Sequence, residues 1–314
     1  MGRSVAIMRI QELVRRAAPR DGGALITAEA GADVESVARE LHLRGRSSTA
    51  PYVVVDCDAG EPTSVDRLLF GKPCTASIPA DLESIARDCC IAAARGGTLF
   101  LRNVGDLRAA AQAQLARIAR DGEVRIDGAP VATALRLVAS ASPGIDAEVH
   151  AQRFRRDLFR RLSTTRIDLP PLRDRAADVP ALASRLLDEA CAAAGRPAAS
   201  FSKAAIALMG ALTWTGNLAE LRTAIERVVA ELGADVVQIE HLLPALPLNR
   251  AAAPFTPAGN LREARLRFER DYIAAVLQHH EWRMAEAART LGIQRPNLYR
   301  KARQLGIPLT RSSE

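Results

Sequence analysis

The chain of 314 residues has no apolar run long enough to cross a bilayer, which takes about 20 predominantly apolar residues, so no membrane partner is expected. Its N-terminus, MGRSVAIMRIQELVRR, lacks the apolar core and small-residue cleavage site of a secretory signal. Its five cysteines (Cys57, Cys74, Cys89, Cys90 and Cys191) are odd in number and contain no C-x-x-C pair. That argues against a disulfide framework or a zinc site and for reduced thiols in a cytoplasm. His42, His150, His241, His279 and His280 show no metal-ligand grouping, and no metal is expected. No Ser-His-Asp or Cys-His arrangement can be argued from spacing, and no internal repeat is visible.

What is present is a globular composition, with 48% hydrophobic and 25% charged residues, at a length that accommodates more than one domain. The basic charge is unevenly placed. From Arg262 to Glu314 there are eleven Arg and Lys against six Asp and Glu, a net of +5, so the rest of the chain contributes only +2 of the total +7. A small basic tail suits a polyanionic partner, most simply double-stranded DNA, although a solvated basic face has the same composition.

Strand-like runs (ALIT, PYVVVDC, GGTLFL and LRLVASA) alternate with helical patterns through the first half. This predicts an α/β fold with a parallel sheet covered by helices. From Pro170 the pattern is helical: DVPALASRLLDEACAAAG, SKAAIALMGAL and NLAELRTAIERVVAELG, the last with a capping box predicted at Asn217 and Glu220. LPALPLNRAAAPFTPAGN reads as a linker, and LREARLRFERDYIAAVL as a further helix capped by Asn260 and Glu263. The boundaries expected are 1–169 for the α/β part, 170–247 for a helical lid, 248–259 for the linker and 260–314 for a small all-α domain.

In the tail, MAEAARTLGIQRPNLYRKARQLGI reads as two short helices joined by a turn at Gly292, with Ile293 in the core and Pro296 in the first turn of the second helix. On that helix Leu298, Ala302 and Leu305 share one face, and Arg295, Asn297, Arg300, Lys301 and Arg303 lie largely outside it. A helix-turn-helix needs this division, because its second helix packs by one face and reads the major groove with the other. Asn297 is a candidate for adenine and Arg295 for guanine, with Gln294 a further candidate, while Arg300, Lys301 and Arg303 are expected on phosphates. Tyr299 and Trp282 are expected in the core. The segment resembles the Fis-type helix-turn-helix, which implies a homodimer through the helix at 261–277.

Near the start, ALITAEAGADVESVARELH places a tight loop between a strand and a helix, where a phosphate loop belongs. That loop reads Ala28-Glu29-Ala30-Gly31-Ala32-Asp33-Val34-Glu35, without a lysine. With PYVVVDC, LLFG (Leu68–Gly71), GGTLFL, FRRDLFRRL (Phe154–Leu162), LPPLRDRAADV (Leu169–Val179) and WTGNLAELR (Trp214–Arg222), in this order, the chain resembles the NtrC-like AAA+ activators of sigma-54 RNA polymerase. The resemblance implies a P-loop AAA+ sheet with a helical lid, and starts so near the family's ATPase domain that no receiver or sensor domain is expected before it.

The departures from that family bear on function. The family loop G-E-S-G-T-G-K-E has Ala28 for its first glycine, Asp33 for its last and Val34 for its lysine. Arg102 and Asn103 stand for the Asp-Glu pair on the Mg²⁺ and attacking water, Ser142 for the sensor Asn, and Ala219 for the sensor Arg. Loss of all four groups is expected to abolish hydrolysis and the usual binding of ATP and Mg²⁺, so that the chain is not an enzyme. The interval between Gly71 and Gly96 lacks the glycines and phenylalanine of the family's sigma-54-contacting loop. Arg155 and Arg161 survive at the arginine-finger positions, either as contacts to a neighbouring subunit or as salt bridges at the junction of sheet and lid.

The relic loop is expected to close its own pocket, with Arg102 paired to Asp33, or next to Glu29; the rival is an Arg102 left free for an anion. The leading reading is a cytoplasmic, sequence-specific transcription regulator whose body is a docking and dimerisation platform, with RNA polymerase or an AAA+ paralogue as a further partner. The alternatives are a regulatory subunit in a mixed AAA+ assembly, and a sensor of a small anionic effector such as a nucleotide second messenger.

Overall fold

The computed structural model describes residues 2, 4–58, 62–74, 81–231, 235–246, 273, 277, 284–290 and 294–304. The chain divides into two compact units, Met1–Leu246 and Pro247–Glu314.

The first unit opens with α1 (Val5–Ala17), capped by the Ser4 hydroxyl, which accepts from the Ile7 amide, and burying Ile7, Ile10, Val14 and Ala17 along one stripe. Strand β1 (Ala24–Thr27) and α2 (Val34–Leu43) follow, then β2 (Tyr52–Asp56), α3 (Pro62–Phe70), α4 (Cys90–Ala93) and β3 (Thr98–Arg102). Next come α5 (Ala109–Asp121), the hairpin β4 (Glu123–Ile126) and β5 (Ala129–Ala132), β6 (Arg136–Ala141), α6 (Ile145–His150), α7 (Arg156–Leu162) and β7 (Thr165–Asp168). The main sheet has five strands in the order β2-β3-β6-β1-β7, all parallel. The four strands expected from the sequence are present. The edge strand β7 and the hairpin were not expected: β7 is short, and its alternating TRID reads as polar because it is covered on one face only.

Side chains alternate between two cores, as the pleat requires. Leu25, Leu99, Leu101, Leu137 and Ala139 join the larger cluster beneath α3, α5 and α7, whereas Ala24, Ile26, Phe100 and Val138 pack against α1 and α2. A third cluster runs from Leu172 to Leu246 and forms the lid. It is built on α8 (Val179–Ala193), α9 (Lys203–Ala211), α10 (Asn217–Glu231) and α11 (Ile239–Leu242). The lid is not purely helical: β8 (Ser200–Phe201) pairs in parallel with β9 (Val236–Val237), a contact too short to leave a periodic signal.

In the second unit, α12 (Met284–Thr290) and α13 (Arg295–Gln304) are the two short helices expected, and Leu298 and Ala302 are fully buried. Of the helix expected at 261–277, only Ile273 and Leu277 are described, both helical and buried. Its cap at Asn260 and Glu263, and Trp282, Gly292, Ile293 and Leu305, lie outside the described residues, as do residues 75–80 of the interval after Gly71.

Candidate functional site: the cleft at the strand ends and the basic helix

A parallel sheet places its binding crevice at the carboxyl ends of its strands. Here the ends of β1, β3 and β6, the N-terminus of α2 and the start of α10 enclose a cleft of about 520 Å³. Glu29, Gly31, Asp33, Val34, Arg102, Asn103, Ser142 and Ala219 all line it, so residues far apart in sequence meet as expected.

Arg102 is not free. Its guanidinium is ion-paired with Glu35 and, at 3.4 Å, with Asp56. The partners are not those expected. Asp33 is the N-cap of α2, and its carboxylate accepts from the Ser36 amide at 3.2 Å. Glu29 holds Arg173 at the start of the lid through two bonds of 2.6 and 2.7 Å. The reason is geometric. β6 lies between β1 and β3, so Arg102 reaches the first turn of α2 rather than the loop before it. Asp56 is the direct cross-strand neighbour of Arg102 in the β2–β3 register. Asn103, in the left-handed region at φ 55°, gives its amide to the Ser140 hydroxyl and its side-chain nitrogen to Asp56.

The loop also satisfies two of its own backbone amides. The Ala32 amide donates to the Glu29 carbonyl and the Val34 amide to the Ala32 carbonyl, while Asp33 covers the helix N-terminus where an anion would sit. Gly31, at φ +76°, is needed for a different approach than that of a phosphate: a Cβ there would lie 2.2 Å from the Gly216 carbonyl oxygen. The Ala219 amide donates to the Gly31 carbonyl at 3.0 Å. Asn217 is fully buried; its Nδ2 donates to the Ala30 carbonyl at 2.9 Å, and its Oδ1 accepts from the Leu172 amide at 2.8 Å. The expected capping box between Asn217 and Glu220 is therefore not made, and the Asn217 amide donates to the Trp214 carbonyl at 2.8 Å. Glu220 does reach back, to the Gly216 amide at 2.7 Å, but Asn217 joins the loop to the lid instead of capping its own helix.

Glu29 is held below the ordinary carboxylate range by its bond to Arg173. Behind Arg102, burial and then the charges of Asp58 and Asp56 push Asp106 up. Burial, followed by Asp56 and Asp106, raises the Cys57 thiol to about 12, so it is no nucleophile. Arg155 and Arg161 are not at the junction of sheet and lid. Arg155 pairs with Asp157 on its own helix at 2.7 Å, and Arg161 donates to the Ala119 carbonyl at 2.9 Å, with no carboxylate at ion-pair distance among the described residues. Sequence reasoning missed Glu35, Asp56, Arg173 and the tether role of Asn217. The β2–β3 register would have pointed to Asp56.

Gln294, just before α13, and Arg295, Arg300 and Arg303 on it are exposed, and Asn297 and Lys301 are half-buried. Tyr299 is not a core residue: it is 37% exposed, and the Arg295 guanidinium lies over its ring, 5.7 Å from the centroid. Arg300 donates to the Asn297 side-chain oxygen at 3.3 Å. Among the described residues no helix is long and apolar enough to cross a membrane, and no cluster of ligating side chains could hold a metal ion.

Residues 1–168 match the family model for the sigma-54 interaction domain, residues 173–256 that for the AAA+ ATPase lid domain, and residues 265–305 that for bacterial regulatory proteins of the Fis family. The alginate biosynthesis transcriptional regulatory protein AlgB of Pseudomonas aeruginosa is 33% identical over 97% of this chain and 67% of its own length. The DNA-binding transcriptional regulator NtrC of Rhizobium meliloti is 31% identical over 100% of this chain and 71% of its own. Among solved structures, NtrX from Brucella abortus superposes with a TM-score of 0.68 at 28% identity, covering 98% of this chain and 69% of NtrX. NtrX in complex with ATP gives a TM-score of 0.64 at 27% identity, with 98% and 69% covered.

Proposed function

The chain belongs to the sigma-54-interacting AAA+ regulators, DNA-binding transcription regulators with a Fis-type helix-turn-helix, and from that membership we propose that it regulates transcription without hydrolysing ATP. The observation that carries this reading is the ion-paired Arg102 on the strand where the family holds Mg²⁺ and the attacking water. A guanidinium there repels a metal ion, and its carboxylate partners repel phosphate. Val34 supplies no charge to a γ-phosphate, and Ala219 none from the lid. NtrX from Brucella abortus has been crystallised in complex with ADP and with ATP. In this chain the cleft holds its own charges in place of a ligand.

In this reading the AAA+ body is a rigid platform for dimerisation and for docking of RNA polymerase or a paralogue, and α13 reads a specific DNA site in the cytoplasm. A small anionic effector in the cleft is disfavoured by charge. The lining carries Glu29, Asp33, Glu35 and Asp56 against Arg102 and Arg222, a formal −2 from two cations and four anions. The test is fluorescence anisotropy on a DNA fragment selected from a genomic library by the full chain. Equal affinity with and without Mg²⁺-ATP, and loss of binding when residues from Leu261 onward are deleted, support the proposal. ATP-dependent binding, or binding retained by the truncated chain, rejects it.

A further inference from the structure

At the opposite end of the sheet, beneath the amino ends of the strands, lies a second cavity of about 620 Å³, larger than the cleft above. Its apolar wall is Leu115, Ile118, Leu135 and Leu137, and its charged groups are Asp21, Arg46, Arg136 and Arg161. Arg46 is paired with Asp21 at 3.2 Å. The other two guanidiniums have no carboxylate within ion-pair distance among the described residues. Arg136 is clamped by main-chain oxygens: Nη1 donates to Ala18 at 2.8 Å and Leu41 at 3.3 Å, and Nη2 to Ala17 at 3.0 Å, while its buried Nε has no partner. Among the described residues Arg161, which is exposed, hydrogen-bonds only through Nη1, on Ala119, and leaves Nε and Nη2 without a hydrogen bond, although its charge, after the bond from Arg120, helps hold Asp121 below the ordinary carboxylate range.

The carbonyls on Arg136 belong to the C-terminal ends of α1 and α2, whose dipoles offset part of its charge. They also fix the guanidinium, so it contributes a preorganised positive field rather than a flexible arm. His42 is buried with its Nδ1 3.0 Å from the Thr98 hydroxyl, and desolvation followed by the Arg136 charge lowers its pKa, so it adds no positive charge near neutrality. Gly96 and Gly122 are exposed, and a Cβ on either would meet nothing within 4 Å.

We propose that this basal cavity binds a small organic carboxylate carrying a flat or short-chain apolar body. The volume falls within the range of small-molecule sites, about 300–1,000 Å³, and the lining has their usual makeup of apolar wall and few polar groups. The open edge of Arg161 offers two parallel N–H donors, which match a carboxylate fork, and Arg136 supplies the background charge. Asp21 at the rim disfavours a dianion, which selects a carboxylate over a phosphate. Binding would join the ends of α1, α2 and α7 at a place remote from the strand-end cleft.

The experiment is thermal denaturation and calorimetry of the full chain with benzoate, phenylacetate and hexanoate, against benzamide and inorganic phosphate. The variants are Arg161→Gln, which removes the fork, Ala119→Leu, which fills the wall, and Arg160→Gln, an exposed control outside the cavity. The expected result is a melting temperature raised by about 5–10 °C at a concentration about a hundredfold above Kd, by at least one carboxylate and not by benzamide. Arg161→Gln raises Kd about tenfold, Ala119→Leu abolishes binding, and Arg160→Gln leaves it unchanged. No stabilisation by any carboxylate, an equal effect of inorganic phosphate, or binding that survives both cavity variants overturns the proposal.

Discussion

Replacing Arg102 by Ala removes the cation that Glu35 and Asp56 share. The three side chains are 35%, 38% and 34% exposed, so water screens the pairs and each contributes about 0.2–1 kcal/mol. The variant also leaves two carboxylates facing each other beside Asp106, whose pKa is already raised by burial and by Asp58 and Asp56. The total loss is about 1–2 kcal/mol, or about 2–8 °C in the melting temperature of a unit this size. Calorimetric melting at low and high salt measures it, and the deficit should shrink as salt screens the repulsion. A double-mutant cycle with Glu35→Gln should return a coupling of at least about 0.5 kcal/mol. An unchanged melting temperature with no coupling would falsify the self-closed cleft.

Asn217→Ala leaves the Leu172 amide and Ala30 carbonyl buried without partners and puts Ala in a left-handed conformation, so urea denaturation should show a loss of about 2–4 kcal/mol. The Glu29–Arg173 pair lowers the Glu29 pKa, so its stabilisation is present above the ordinary value of 4.5 and disappears as pH falls through the lowered one. Arg173→Ala should therefore flatten that acid limb in thermal melts and leave the neutral-to-basic limb parallel to the parent's. Cys57 and Cys74, pushed up by burial to about 12 and about 11, should resist iodoacetamide in the native chain at about pH 8.5 and react once urea unfolds it. On DNA, Arg295→Ala should cost about 1–3 kcal/mol and relax sequence preference, whereas Lys301→Ala should weaken all sequences alike and reduce the salt dependence.

The α/β body was legible because parallel strands buried on both faces read as apolar runs, as in ALIT and TLFL. The lid and the basic helix were legible from three- and four-residue apolar spacing. The two-residue β8 and β9 carry no period at all, and the partly covered β7 looks polar. The eight cleft residues were found through motif order, but their pairings were not. Which acid meets Arg102 depends on the sheet order and the β2–β3 register, properties of tertiary structure that put Asp56 opposite Arg102 and free Asp33 to cap a helix. Asn217 shows the same limit: its sequence context is that of a helix cap, and its buried position gives its side chain to the loop and lid instead.

Isothermal calorimetry of the full chain with Mg²⁺-ATP tests the central claim most directly. With Val34, Arg102 and Ala219 in place of the lysine, a metal-side acid and the sensor Arg, no saturable heat and no phosphate release above background are expected. Micromolar affinity that depends on Mg²⁺ would contradict the account.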